Sequence, residues 1–453
     1  MRSRYPRLNR RQFVAGLGAG VAVCSVIPRH VLGGESGPAA NDKLNIAGIG
    51  VGGQGWGDIQ AAGGGENVVA LCDVDTRRSA SAQQKFTAAR QFRDFRKMFD
   101  EMEKQIDAVV IATPDHTHAV ACMAAMTRGK HVYCEKPLAH SVYEIRQLMR
   151  AARDNKVITQ MGNQGHSAET IRMFCEWIAD GAIGRVTEVH ASCDAFASVY
   201  SQIRNLPKVG EKHDVPAELD WDLWLGPAQF RAYNPMYAPW NWRGWMPFGT
   251  GAIGDWICHV VDPAFWALDL GAPETVLAEV DDYDPKLHAD VYPPGTQVTY
   301  GFAAKGQRGP VKLVWYDGSR RPPRPKDLEE GRNPPGTGAI VIGTEGTITH
   351  GSHGAGGVRI VPEAQMRAYQ QPEKTIPRVP GHHQDWLQAI RQGRQAGSNF
   401  DYGGPLAELG LLGAIAIRYP GVKLQWDGPA MRFTNHDEAN QHVNPPYREG
   451  WTL

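Results

Sequence analysis

Leu44-Asn45-Ile46-Ala47-Gly48-Ile49-Gly50-Val51-Gly52-Gly53-Gln54-Gly55 is the stretch on which the fold turns. Residues 44–49 read as a buried strand, and residues 50–55 fit G-x-G-x-x-G. Gly50 permits a tight turn, Gly52 lets a pyrophosphate approach the backbone, and Gly55 lets the next helix pack on the strand. Gly53 belongs to the same cradle, and a helix starting there offers free N–H groups to phosphates. A second apolar strand, 68–72, ends in Asp73, 23 residues after Gly50. Its carboxylate can accept hydrogen bonds from a ribose diol. The glycine pattern alone reads equally well as a Gly-rich turn. The order strand, turn, helix, strand, Asp predicts a dinucleotide site. Asp73 repels a 2′-phosphate and so favours NAD over NADP, although Arg77 and Arg78 stand close enough to blunt that preference.

The alternation continues outward. Helices are predicted over 76–89 and 96–103. Residues 108–112 form a continuous apolar run, as a central parallel strand covered on both faces requires. Thr113-Pro114 and His116-Thr117-His118 follow at its carboxyl end, where ligands bind in open α/β sheets. A helix over 117–128 stops at Gly129, and strand 131–134 leads into Glu135-Lys136-Pro137. Ser141 caps a helix to 155, and 157–161 reads as a further strand. Residues 41–162 thus read as a doubly wound parallel sheet, a Rossmann domain. Beyond Met161 the period changes. After an amphipathic helix over 169–180, strand-like runs appear at 186–193, 276–280, 296–302, 312–315 and 339–342. Residues 163–453 therefore read as an α+β domain with a large, mostly antiparallel open sheet. Residues 318–338 read as an exposed loop.

Composition narrows the function. The chain has 453 residues, 42% hydrophobic and 21% charged, too apolar for a disordered chain. The longest apolar run, 14–27, is shorter than the roughly 18 residues of a spanning helix, which argues against an integral membrane protein. Residues 1–40 hold six Arg and one Glu; the remainder carries 42 basic and 47 acidic residues, a net of −5. That mildly acidic body argues against a nucleic-acid partner. Asn9-Arg10-Arg11-Gln12-Phe13-Val14 before a Gly/Ala-rich stretch reads as a twin-arginine (Tat) export leader over residues 1–40, implying a periplasmic protein. The seven Cys include no CxxC pair and read as buried free thiols. With no CxxC, HExxH or carboxylate cluster, no metal is expected.

A second chemical stretch runs Trp242-Arg243-Gly244-Trp245, then Phe248 to His259, then Asp262. If 253–268 is helical, Asp255 and His259 lie at i and i+4 on one face. His116 and His118, at i and i+2, do not share a face, which argues against a metal pair. Tyr233, Tyr237, Trp240, Trp242 and Trp245 read either as core or as a platform for sugar C–H faces. Trp242, Arg243 and His116 are candidate substrate contacts.

With these residues quoted, the chain resembles the Gfo/Idh/MocA family, the glucose–fructose oxidoreductase and inositol dehydrogenase relatives. The matching motifs are Gly50–Gly55, Thr113-Pro114 with His118, Glu135-Lys136-Pro137, and Gly251-x-x-x-Asp255-x-x-x-His259. The region with His382-His383, Asn399–Tyr402 and Gly450-Trp451 resembles exported members. The resemblance implies an NAD(P)-dependent oxidoreductase with Lys136, Asp255 and His259 as the catalytic group. It also implies Thr113, Pro114, His118, Glu135 and Lys136 beside the cofactor, and a homo-oligomer. Loss of hydride from a C–H bond needs a base for the hydroxyl proton, and His259 is the candidate. Lys136 can stabilise the developing alkoxide. Asp255 would orient His259 or hold a neighbouring substrate hydroxyl. Some relatives carry Tyr where this chain has His259.

The expected activity is hydride transfer between tightly bound NAD and a secondary hydroxyl of a sugar, polyol or glycoside. The alternative is a redox-neutral glycoside hydrolase or lyase acting through a transient keto-sugar. That route needs a second base, for which His116, His190 or a Tyr could serve. A third reading is a non-catalytic sugar-binding protein, against which the complete Lys136–Asp255–His259 set argues.

Overall fold

Strand β1 (Asn45–Ile49) sits at the centre of a six-stranded sheet whose pairings are all parallel. The order is β3-β2-β1-β4-β5-β6, with β2 Asn67–Cys72, β3 Arg90–Phe92, β4 Ala108–Ile111, β5 His131–Glu135 and β6 Thr159–Gly162. Ile49 pairs with Cys72 on one side and Ile111 on the other. This register brings Gly50, Asp73 and Thr113 to one sheet edge, where the strand order reverses between β1 and β4. The coordinates are a computed structural model that describes residues 43–453. The twin-arginine leader and Cys24 lie outside the described residues.

The second half carries a nine-stranded sheet in the order β13-β12-β11-β7-β10-β9-β8-β14-β15. Its central strands are β7 (Val186–Cys193), β10 (Val311–Gly318), β9 (Gly295–Phe302) and β8 (Thr275–Val280). β11 (Gly338–Gly343), β12 (Thr347–Gly351) and β13 (Arg359–Val361) extend one edge; β14 (Leu424–Asp427) and β15 (Arg432–Phe433) extend the other. Only β7 and β10 pair in parallel; the other pairings are antiparallel. The fold is thus a Rossmann sheet plus a mostly antiparallel open sheet.

Three differences from the sequence reading have physical reasons. The helix expected over 253–268 is two helices, Gly251–Val260 and Asp262–Ala267, with Pro263 in the first turn of the second, where its missing N–H costs nothing. The helix expected over 76–89 ends at Lys85. An unforeseen helix, Phe400–Ile417, bridges the two halves. Glycine and Pro405 disguise it in sequence, yet its glycines allow close approach. A Cβ on Gly403 would lie 2.9 Å from Met161, and one on Gly413 would lie 2.3 Å from the Tyr300 hydroxyl. One apolar core accordingly runs from Ile49 and Val109 through Ile253 and Leu409 to Val298. Cys72, Cys122, Cys134, Cys175, Cys193 and Cys258 are buried free thiols within the described residues.

Candidate active site

A cleft of about 430 Å³ runs from the β1 turn to the helix Gly251–Val260. Its inner wall is the glycine turn. Gly50 has φ 74°, and a Cβ there would lie 2.8 Å from the Thr113 amide nitrogen. A Cβ on Gly55 would lie 1.9 Å from the Gly50 carbonyl oxygen, and one on Gly52 would meet Arg78 at 2.7 Å. The turn is closed by missing side chains, as a backbone cradle for a pyrophosphate must be. Asp73 borders the cleft and accepts from the Val51 and Asp75 amides at 3.0 Å each. Burial pushes its pKa up to about 6. Arg77 turns aside to Asp75, whereas Arg78 faces the cleft beside Gly53. Cradle and acidic strand end fit a dinucleotide with its diol at Asp73.

The far wall holds the chemistry. Lys136, following β5, pairs with Asp255 of the helix Gly251–Val260, which also accepts from the Tyr200 hydroxyl. Arg243 approaches the same carboxylate at 3.3 Å. Burial alone would raise the Asp255 pKa. The charges of Lys136 and Arg243, with hydrogen bonds from Lys136 and Tyr200, instead hold it well below the usual carboxylate range. Burial likewise opposes the Lys136 charge, but Asp255 and Glu135 outweigh it and raise the pKa. The site therefore holds a fixed cation against a fixed anion.

His259 lies one turn beyond Asp255 and lines the same cleft. Its Nδ1 is buried with no hydrogen-bond partner among the described residues. Asp255 thus does not orient the His259 ring through a hydrogen bond; its oxygens are taken by Lys136 and Tyr200, which answers one of the two roles considered for it. The ring is held by stacking. His353, from the loop after β12, lies face to face with it at 4.0 Å between centroids and 19° between planes. The His353 amide also donates to the His259 carbonyl at 3.1 Å. Burial, then the Lys136 charge and His353, push the His259 pKa well below 6.5, so the imidazole is neutral.

The other candidates divide. Thr113, Pro114, His118 and Glu135 line the cleft. Both His118 ring nitrogens, however, meet carbonyls, of Pro137 and Thr113, at 2.8 Å. Burial pushes its pKa down to about 4, so the neutral ring can donate to only one of these two carbonyls. Glu135 accepts from Gln164 at 2.6 Å, and burial next to Asp58 pushes its pKa well above the usual range. His116 is a correction. It does not line this cleft, and its ring nitrogens meet the Phe248 and Trp224 carbonyls at 3.2 and 2.9 Å. His190 lies on β7 outside the cleft, bonded to Tyr316 and Glu188. Trp242 and Arg243 do border the cleft. Tyr237, Trp242 and Trp245 pack in an apolar cluster, whereas Trp240 is exposed. No group of three or more His, Cys, Asp or Glu able to hold a metal ion occurs among the described residues.

The sequence reading did not single out Tyr200, His353 or Asp115. Tyr200 sits in a segment without regular periodicity. His353 lies in the glycine-dense run Gly351–Gly357, whose only signal is a histidine among glycines. Asp115 borders the cleft and accepts from Thr250 Oγ1 at 2.8 Å, which ties it to the start of the helix bearing Asp255.

The chain is similar to known proteins in both halves. The profile of the Gfo/Idh/MocA oxidoreductase family, NAD-binding Rossmann fold, matches residues 43–163, and that of the family's C-terminal α/β domain matches residues 196–308. Levoglucosan dehydrogenase of Pseudarthrobacter phenanthrenivorans is 27% identical over 195 residues, 43% of this chain and 40% of that protein. Inositol 2-dehydrogenase of Salmonella typhimurium is 28% identical over 151 residues, 33% of this chain and 44% of that protein. The matched segments thus span less than half the length of these relatives. Among solved structures, levoglucosan dehydrogenase in complex with NADH superposes with a TM-score of 0.52 at 19% identity, covering 83% of this chain and 97% of that one. Aldose–aldose oxidoreductase from Caulobacter crescentus, complexed with glycerol, superposes with a TM-score of 0.55 at 16% identity, covering 85% and 100%. These superpositions show the fold. No helix among the described residues is long and apolar enough to cross a membrane.

Proposed function

The chain belongs to the Gfo/Idh/MocA oxidoreductase family, and on that premise we propose that it oxidises or reduces a carbohydrate at a secondary carbinol with NAD as cofactor. The observation that carries the proposal is the single cleft in which Lys136, Asp255 and a neutral, unpartnered His259 face the glycine turn and Asp73. Bound there, the nicotinamide supplies the hydride acceptor or donor, which no side chain can. Gly50, Gly52, Gly53 and Gly55 would hold its pyrophosphate, and Asp73 its ribose.

The protein's own groups supply the rest. The His259 ring, neutral and without a partner at Nδ1, takes the hydroxyl proton at Nε2 as the C–H bond breaks. Lys136 Nζ donates to the same oxygen and stabilises its developing charge. Asp255 keeps Lys136 charged and in place. In reduction each group runs in reverse. Levoglucosan and inositol dehydrogenases among the relatives support a sugar or polyol substrate. They do not favour the hydrolytic alternative, and neither do the engaged ring nitrogens of His116 and His190. Export through the leader and self-association belong to the same proposal.

The test is turnover of a panel of sugars, polyols and glycosides with NAD, read as NADH formed. At least one is oxidised, and Lys136→Ala lowers its kcat/KM by roughly 10²–10⁴-fold. If the protein binds NAD but Lys136→Ala turns substrate over at the parental rate, the catalytic assignment is wrong.

A further inference from the structure

Two exposed rings stand at the mouth of the cleft. Phe196 is 55% and Trp240 45% exposed, and both line the cleft. They meet edge to face with centroids 6.2 Å apart. Phe196 also lies 6.4 Å from Trp256, and Trp256 lies 5.9 Å from His259. A row of rings therefore leads from the proposed base to solvent. Trp240 is held in place: the Arg243 guanidinium lies 4.3 Å from its ring centroid, and Arg243 Nη1 donates to its carbonyl at 3.4 Å. Arg243 is fixed in turn by the Trp242 ring at 4.2 Å and by Asp255. Phe196 sits at φ 54°, a left-handed conformation that bulky residues rarely adopt. Holding aromatic faces against water at a cleft mouth is unfavourable unless something covers them. Tyr237, Trp242 and Trp245, from the same aromatic-rich segment as Trp240, are buried, so exposure is not a property of the segment as a whole.

We propose that Phe196 and Trp240 form an outer carbohydrate subsite, and that the substrate is a glycoside or short oligosaccharide whose second sugar ring stacks there. The proposal rests on the carbohydrate reading above. A pyranose presents C–H groups on its faces and hydroxyls around its rim. Aromatic walls match the faces, and the open mouth leaves the rim hydroxyls in water, so no buried polar partner is needed. With the first ring at Lys136 and His259, the row through Trp256 brings the second to Phe196 and Trp240. A single monosaccharide at the reacting centre would leave both outer rings bare.

The test is binding of matched monosaccharides and disaccharides (glucose with cellobiose and maltose, galactose with lactose) to the full chain loaded with NAD. It is read by saturation-transfer NMR and tryptophan fluorescence, with kcat/KM measured on any sugar that turns over. At least one disaccharide binds about tenfold more tightly than its monosaccharide, as two aromatic contacts supply. The ratio falls toward one in Trp240→Ala and in Phe196→Ala, and Trp240→Phe restores part of it. Equal affinity for both lengths, or variants that leave the ratio intact, overturns the subsite. Preference for an aryl glucoside over every disaccharide also overturns it, in favour of an aryl aglycone site. Failure of the carbohydrate reading looks different: NAD binds, yet no sugar of either length binds or reacts, and the subsite falls with that reading.

Discussion

At the scale of single residues, the cleft holds Lys136 and Asp255 charged and His259 uncharged. Burial, Lys136 and His353 all disfavour the His259 cation, so its pKa lies well below 6.5. As the proposed base, His259 stays in its accepting form as pH falls, and the acid limb of kcat/KM is expected below the ordinary histidine value. A limb at or above 6.5 contradicts this. His353→Phe keeps a ring against His259 but removes a group that opposes its protonation. We expect the rate at neutral pH to survive and the acid limb to move to higher pH, whereas His353→Ala loses the stack and lowers kcat. Unchanged pH profiles in both variants would make His353 a bystander. That Lys136, Asp255 and His259 line one cleft was legible in sequence through the family resemblance, whose motifs lie in short, ordered segments. His353 was not, because its approach depends on a loop fold: a Cβ on Gly165 would lie 2.2 Å from the His353 carbonyl carbon. No sequence period encodes that distance. His116 misled because its place beside a cleft strand says nothing of which carbonyls its ring meets.

Among elements, the helix Phe400–Ile417 shows what periodicity misses. Its glycines mark contact points and would ordinarily weaken a helix. The Tyr300 hydroxyl donates to the Leu409 carbonyl at 2.7 Å, and a Cβ on Gly413 would lie 2.3 Å from that hydroxyl. Gly413→Ala should therefore destabilise the protein by about 1–3 kcal/mol through overpacking, despite alanine's better helix propensity. Urea unfolding measures it, and a stabilised variant would show that the helix can shift. At the β1 turn the same logic reaches function. Gly55→Ala places a Cβ 1.9 Å from the Gly50 carbonyl oxygen, so NAD affinity should fall at least tenfold. Retained affinity in a calorimetric titration would remove the turn from the cofactor site. The parallel sheet was legible because strand, glycine turn and helix recur in order. The outer strands β12 to β15 were not, being only two to five residues long, and β14 joins the sheet through β8, far away in the chain.

For the whole molecule, buried titratable groups pull in opposite directions. Burial lowers the pKa of His116 and His382 to about 3, and of His118, His140 and His350 to about 4. Their contribution to stability is complete above 6.5 and is lost as pH falls toward the folded values. Burial raises Asp73 and Asp317 to about 6 and Asp115 to about 7, so their contribution is complete below 3.8 and lost as pH rises through 6 to 7. Between pH 6.5 and 4 the two sets oppose each other, but five histidines outnumber three aspartates, so the melting temperature should fall as pH drops through that range. A flat melting temperature would show that the buried carboxylates offset the histidines in full. If the protein is exported folded, it carries its cofactor with it, and denaturing protein purified without added nucleotide should release about one NAD(H) per chain; an empty preparation that still binds NAD argues for free exchange. Finally, Lys136 and Asp255 stand 119 residues apart, one following the parallel sheet and the other on a helix of the second half. Neither half alone contains a reactive centre. Swapping one half for that of a relative with a different partner residue would strand a buried charge, so the proposed turnover is expected to require both halves of this chain assembled together.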